Sequence, residues 1–392
     1  VALLALAAAV ASTACGSTIT GRAAPGATPV DLGKLDVGLF PTEPVAFEVD
    51  FTTDADVYSL EARRMLGFLI SPHDVDPELR YLNETQLVLP GTTPSLLPEE
   101  FTPISEKNYL VAGVATARGN NNPRTRQEGS VALLRFGNHE YARVAAAEFS
   151  AATDKRTPGR EKLPIPGHEE AHAGRVPTRD RVQVFAASGP YVVAGSISAP
   201  ADRADRLADQ LKTLLDLQLA AMKELAPTPP DDILDLPVDP EGIMSTALPP
   251  EYAGSAAYNE LAGAYSPAAH IHFENDADQV PDYARYGVDL VARNDATVYR
   301  TASAEQAFAL QSTLSRPAAY DEEIPGPPGL IDARCVQRAA APVMSDRFFC
   351  VTVYERYVAV VDSYGLGDLP APELYQATAA QYAVLANSRM PG

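Results

Sequence analysis

The chain has 392 residues, with 31 Lys and Arg against 51 Asp and Glu and a formal net charge of −20. Such acidity argues against nucleic acid, whose phosphates need a basic patch, and against electrostatic docking on anionic lipid. With 46% hydrophobic and 21% charged residues the chain reads as globular rather than disordered, and three Cys are too few for a disulfide scaffold.

Residues 1–14 (VALLALAAAVASTA) are uncharged, small and apolar, and stop at Cys15. The run is shorter than the roughly 20 residues a spanning helix needs, and it fits the apolar part of a signal peptide. A Cys directly after the small residues is the bacterial lipoprotein pattern, so Cys15 is the expected lipidation site and the membrane the expected partner. Ser12 stands where Leu or Val is preferred, and no Lys or Arg precedes the apolar run, so the true start is expected upstream of Val1. Residues 16–34, rich in Gly, Pro, Ser and Thr, read as a flexible tether, which is taken to run from Cys15 to residue 44. A secreted soluble protein is the alternative.

Two stretches then repeat. Residues 131–149 and 297–315 both read as strand, turn and amphipathic helix, and Tyr191-Val192 recurs as Tyr357-Val358. Both pairs are 166 residues apart. Long helices are expected near 201–224 and 371–388, the first with Leu207, Leu211, Leu214, Leu215, Leu219 and Met222 on one buried face. Asp54-Ala55-Asp56 and Asp276-Ala277-Asp278 also match, but at 222 residues, which implies about 56 extra residues near 72–127 in the first copy. That segment is rich in Pro and polar residues and is expected to lack regular structure. The predicted fold is α+β: two related halves, residues 45–226 and 251–392, each a small, mostly antiparallel sheet packed with helices. Each is expected to run helix, strand, helix, hairpin, helix. A Pro-rich linker or surface strap at 227–250 joins them.

Outside the cytoplasm thiols tend to pair. With Cys15 lipidated, Cys335 and Cys350 remain as an even pair in two strand-like runs, so a cross-strand disulfide is expected; free thiols or half of a metal site are the alternatives.

The lipobox Cys, the tether, Leu35-Asp36-Val37-Gly38 with Pro41-Thr42, Gly189-Pro190-Tyr191-Val192, and Cys335 with Phe348-Phe349-Cys350 ahead of Arg356-Tyr357-Val358 together resemble a family of uncharacterised lipoproteins of mycolic-acid-containing actinobacteria. The resemblance implies an envelope location and leaves the activity open. A looser similarity to extracellular sensor modules of actinobacterial Ser/Thr kinases transfers no role, because the sequence shows neither a kinase domain nor a spanning helix.

Few residues suggest chemistry. His168-Glu169-Glu170-Ala171-His172 matches the zinc-protease motif H-E-x-x-H, in which two His share a helix face and Glu is the base. Pro164, Pro166, Gly167, Gly174 and Pro177 leave room for two helical turns at most, so a solvated loop is the stronger reading. His270-Ile271-His272 would place two imidazoles on one face of a strand, with Glu274 and Asp276 beyond. His73 and His139 are expected at the surface. Asp54, Asp56 and Glu61, like Glu274, Asp276 and Asp278, lack the Gly of a calcium loop; Asp54 and Asp276 fit helix caps better. There is no nucleophile elbow or phosphate loop, and Gly365-Leu366-Gly367 is not a dinucleotide fingerprint. Tyr354, Tyr357 and Tyr364 could line a groove, though strand aromatics usually pack. The expectation is therefore a lipid-anchored, extracytoplasmic, non-enzymatic protein without a cofactor, binding a small hydrophobic ligand or an envelope partner between the halves or under the 72–127 segment. A metal-dependent hydrolase using His168, Glu169 and His172 and a structural surface protein are the alternatives.

Overall fold

A computed structural model describes residues 27–48, 54–92, 94–176, 180–249, 261–339, 346–364 and 370–388. Cys15, Gly365-Leu366-Gly367 and the Tyr364 side chain lie outside the described part.

The first half begins with α1 (Asp54–Leu66) and the short α2 (Pro72–Val75). Next come β1 (Tyr81–Val88), α3 (Phe101–Lys107), β2 (Leu110–Gly119), β3 (Glu128–Phe136) and α4 (His139–Arg156). It closes with β4 (Glu161–Lys162), β5 (His172–Val176), β6 (Arg181–Ser188), β7 (Tyr191–Ser198) and α5 (Leu207–Ala221). The second half carries β8 (Gly263–Tyr265), α6 (Pro267–His270), β9 (Leu290–Arg293), β10 (Ala296–Arg300) and α7 (Ala304–Leu314). β11 (Glu322–Ile324), β12 (Arg334–Gln337), β13 (Asp346–Tyr354), β14 (Tyr357–Tyr364) and α8 (Pro372–Asn387) complete it.

Each half holds a seven-stranded sheet, and every strand pair is antiparallel. The orders are β1-β2-β3-β7-β6-β5-β4 and β8-β9-β10-β14-β13-β12-β11, so each strand of the first sheet has a counterpart at the same place in the second. Local signals repeat too. Asn138 caps α4 by accepting from Glu140 and Tyr141 N–H, and Ser303 caps α7 by accepting from Gln306 N–H. The β6–β7 and β13–β14 hairpins turn on the left-handed residues Gly189 (φ 55°) and Glu355 (φ 50°), which are 166 residues apart.

Alternation along the strands feeds two faces. In β3, Val131 and Leu133 face α1 and α5, whereas Ala132, Leu134 and Phe136 face α3 and α4. On α5, Leu207, Leu211, Leu214 and Leu215 are buried, as is Met222 directly after it, as their helical spacing predicts; Leu219 is half-buried. In the second half α7 covers one face and α8 the other. Cys335 and Cys350 are register partners on β12 and β13, disulfide-bonded and fully buried in the α8-facing core.

Four expectations need correction. Segment 72–127 is not an unstructured insertion: it contains α2, β1, α3 and β2, and β1 and β2 are the counterparts of β8 and β9. The 222-residue spacing misled because both Asp-Ala-Asp runs start helical turns, where Asp is favoured whatever the surrounding fold. Asp54 opens α1 ahead of the sheet, whereas Asp276 caps a turn between β8 and β9. The order helix, strand, helix, hairpin, helix fails with it, since each half has seven strands. Residues 27–44, expected to belong to a flexible tether, instead pack on the second half together with 45–48. Thr28 hydroxyl meets Asp332 at 3.1 Å, Gln376 donates to Asp36 at 3.1 Å, and Asn387 donates to Thr42 carbonyl at 2.9 Å. Val30, Leu32, Leu35 and Val37 pack around Leu330, Ala379 and Tyr382. Finally, of the two readings for 227–250 the linker fails and the strap holds: 227–249 packs with Ile233, Ile243 and Met244 buried.

The halves meet where the β8–β9 connection crosses α1 and the outer edge of β1. Leu82 N–H donates to Asn275 carbonyl at 2.8 Å, and Ala277 N–H to Arg80 carbonyl at 3.0 Å. Buried Arg118 donates at 2.9 Å to the carbonyls of Arg80, Ile271 and Glu274. Arg80 pairs with Asp276 and Asp278. Thr85 hydroxyl donates to His272 carbonyl at 2.6 Å.

Candidate functional site

The β1–β2 connection (89–109) leaves the sheet, turns at Gly91 (φ 76°) and returns through α3. Prolines at 90, 94 and 98 bar regular pairing along its first part. A short polar clasp ties it down instead: Ser95 hydroxyl donates to Glu84 carboxylate at 2.7 Å, and Leu96 N–H to Gln86 Oε1 at 3.0 Å. Beneath it opens a cleft of about 350 Å³, within the range of small-ligand sites. Its lining is mainly apolar: Val88, Leu89, Pro90, Leu97, Pro98, Phe101, Leu110 and Val111, with Tyr58 from α1. Thr92, Thr102, Ser105, Glu106 and the tyrosines 58 and 109 bring polar groups, and among the described residues no Lys, Arg or His lines it.

Phe101 anchors the floor. It is 3% exposed, with ring centroids 4.4 Å from Phe149 and 5.5 Å from Phe185. Tyr109 forms the lip; it is 63% exposed, and its ring lies tilted at 45° to that of Tyr141, with centroids 4.8 Å apart. Its φ of 56° is uncommon for a bulky aromatic, and such conformations persist where the surroundings impose them. Here α3 imposes it, through Tyr109 N–H to Glu106 carbonyl at 3.1 Å, and β3 through Gly137 N–H to Tyr109 carbonyl at 3.0 Å.

The sequence-predicted candidates do not converge. His168 to Ala171 form a turn, and β5 begins at His172, so the H-E-x-x-H residues never share a helix face. His168 Nε2 lies 2.7 Å from Asp216 on α5, Glu169 accepts from Gly167 N–H at 3.0 Å, and His172 is exposed. His270-Ile271-His272 is helical rather than extended, and both rings are buried. His270 Nε2 lies 3.0 Å from Glu274 Oε1 and 3.0 Å from Tyr299 hydroxyl; His272 Nε2 lies 2.9 Å from Leu69 carbonyl. Burial pushes Glu274 up, but hydrogen bonds from His270 and Tyr283 and nearby positive charge outweigh it and hold the carboxyl at about 2. Burial lowers His272 to about 4, against the opposing pull of Leu69 carbonyl and with the help of the Arg118 charge. Among the described residues, no group of three or more His, Cys, Asp or Glu is placed to hold a metal. Tyr357 is buried packing, and Tyr354 stands edge-on to Tyr382 at 5.6 Å.

Sequence reasoning missed the cleft residues. The three prolines and the exposed aromatic at 109 were the available signal. It also missed the buried pair of Glu61 and Arg135, which ties α1 to the strap through Thr228.

Two seven-stranded antiparallel sheets of one topology, each with helices on both faces, define the class of protein. The chain belongs to the family known as domain of unknown function DUF7373: the N-terminal family model matches residues 50–238 and the C-terminal model residues 243–388. Curated proteins provide no match. The extracellular domain of PknH from Mycobacterium tuberculosis, a solved structure, is similar at 9% identity and a TM-score of 0.29, covering 40% of this chain and 96% of that one. Among the described residues no helix is long and apolar enough to cross a membrane.

Proposed function

We propose that the protein is an exported, lipid-anchored, non-enzymatic binding protein that takes a small apolar ligand in the cleft beneath the β1–β2 connection. The observation that carries this reading is the cleft: about 350 Å³, floored by Phe101 and lined mainly by aliphatic and proline side chains, with no cation among the described residues. An apolar guest gains about 25 cal/mol per Å² removed from water there, and needs no chemistry from the protein. The buried Cys335–Cys350 disulfide supports export, since such bonds persist in oxidising compartments. The sequence up to Cys15 supports the anchor. Titration with the neutral fluorophore N-phenyl-1-naphthylamine tests the cleft. Saturable binding that Ser105→Phe abolishes, with the circular dichroism unchanged, is the expected result. Equal binding by this cleft-filling variant refutes the site. Lipid labelling that survives Cys15→Ser refutes the anchor.

A further inference from the structure

The cleft beneath the β1–β2 connection carries polar groups that a purely apolar guest does not use. Thr92 is satisfied within its own turn, where its hydroxyl donates to Leu89 carbonyl at 2.7 Å. Ser105 and Glu106, consecutive on α3, are not. Ser105 lines the cleft and is 7% exposed, and among the described residues its hydroxyl has no hydrogen-bond partner. Buried polar groups are normally paired, so an unpaired hydroxyl at a cavity wall points to a guest that supplies the partner. Glu106 lines the same cleft, and no cation among the described residues pairs with its carboxylate. Its neighbour Lys107 pairs instead with Glu148 on α4. Two phenol rings complete the set, Tyr58 from α1 and Tyr109 at the lip; Tyr109 is tied to the same turn by its N–H, which donates to Glu106 carbonyl at 3.1 Å. A carboxylate, a free hydroxyl and two electron-rich rings, with no Lys, Arg or His among the described lining residues, attract a cation. A carboxylate guest would meet Glu106 as a like charge and find no cation to offset it.

We propose that the ligand of the cleft is an alkyl ammonium cation. Its N–H groups donate to the Glu106 carboxylate and the Ser105 hydroxyl, Tyr58 and Tyr109 flank the charge, and the hydrocarbon chain lies against Leu97, Pro98 and Phe101. The proposal rests on the cleft being the apolar-ligand site and adds the charge of the ligand and the end by which it is recognised.

Calorimetric titration of the full chain at pH 7 and low salt with decylammonium, decanol and decanoate, which share one chain length and differ in the head, tests it. Decylammonium is expected to bind about ten-fold more tightly than decanol, and decanoate more weakly than either. Added salt should narrow the preference, because Glu106 is exposed and its charge is screened. Glu106→Gln is expected to bring decylammonium down to the level of decanol while decanol binding stays unchanged, which also shows that the variant is folded. Glu100→Gln removes an exposed carboxylate just before α3 and outside the cleft, and is expected to keep the preference. Equal affinity for decylammonium and decanol in the unmodified protein, a preference that survives Glu106→Gln, or one lost equally in Glu100→Gln and so owed to net charge, overturns the ammonium site and leaves the apolar cleft standing. Failure of all three compounds to bind overturns the cleft as well.

Discussion

Replacing His272 by Gln tests how the two halves are held together. The His272 ring is fully buried at the junction, with Nε2 against Leu69 carbonyl at 2.9 Å and Nδ1 without a partner among the described residues. Protonation would place a second cation near buried Arg118. Burial first, and that charge next, therefore lower the imidazole from 6.5 to about 4. The folded pKa lies below the unfolded one, so the unfolded chain binds more protons between pH 6.5 and 4. Stability is full above about pH 6.5 and falls as the pH drops toward 4. At 1.36 kcal/mol per unit the whole shift amounts to about 3 kcal/mol, of which about 2 kcal/mol is lost between pH 7 and pH 5. Gln can still donate to Leu69 carbonyl but carries no proton equilibrium. Urea denaturation of both proteins at pH 7, 6 and 5 should show a stability slope that is about 2 kcal/mol shallower in His272→Gln. The range ends at pH 5 to stay above the ionisation of Glu274, which resists protonation down to about 2 and loses its contribution only below about pH 4.5. Equal slopes in the two proteins would refute the assignment of acid sensitivity to this ring.

Reduction of the Cys335–Cys350 bond, or Cys335→Ala with Cys350→Ala, releases a loop with a sequence separation of 15 and should cost roughly 3 kcal/mol, read as a lower urea midpoint. Arg118→Met removes the donor to two carbonyls of the other half, Ile271 and Glu274, and to that of Arg80 beside them. At about 1–3 kcal/mol for each group left unsatisfied, less the relief from burying a guanidinium, a net loss of about 2–4 kcal/mol is expected, with faster amide exchange across 263–286; a change below about 1 kcal/mol contradicts the latch. Tyr109→Asn places a residue that tolerates the left-handed region at φ 56°. Stability should move by less than about 1 kcal/mol, while N-phenyl-1-naphthylamine binding weakens; unchanged binding removes Tyr109 from the site.

The duplication was legible because it is written in apolar period and turn chemistry. Tyr191-Val192 and Tyr357-Val358 sit at equivalent points of β7 and β14, and the 166-residue spacing holds through the hairpins before them. The disulfide followed from counting thiols. Ahead of β3 the start of α1 at Asp54 was legible, whereas β1, α3 and β2 were not. β1 and β2 (YLNETQLV and LVAGVATARG) carry polar or small residues because one strand is covered by the other half and both take part in close sheet contacts, so neither shows clean alternation. Gly113, for instance, has no room for a side chain: a Cβ there would lie 2.6 Å from Leu134 Cδ2. The His motifs misled for a different reason. Spacing implies a shared face only if the backbone is regular, and Gly167 (φ 85°) ends any helix before His168. Polar contacts between distant segments, such as Arg118 with Ile271 and Glu274, leave no local trace in the sequence.

The asymmetry between the halves explains why the cleft is found in one of them. Both sheets share a topology, and both have a long helical connection between the first two strands, 89–109 in one and 266–289 in the other. The second connection is committed to the junction: Ala269, with Tyr265 at the end of β8 just before it, enters the core beneath α1, and Asn275 to Ala277 pair with the edge of β1. That contact covers the outer edge of β1 and buries His272 and Arg118. The first connection has no such duty. Its prolines bar regular pairing with the sheet, the Glu84–Ser95 clasp ties it to β1 at one point, and the cleft opens beneath it. The division implies different tolerances. Substitutions in 266–289 should act through stability, whereas exposed substitutions in 89–109 should alter binding and leave the unfolding midpoint within about 0.5 kcal/mol. A scan that finds large stability losses at exposed positions of 89–109 would show that this connection, too, is structural, and would remove the reason for placing a ligand beneath it.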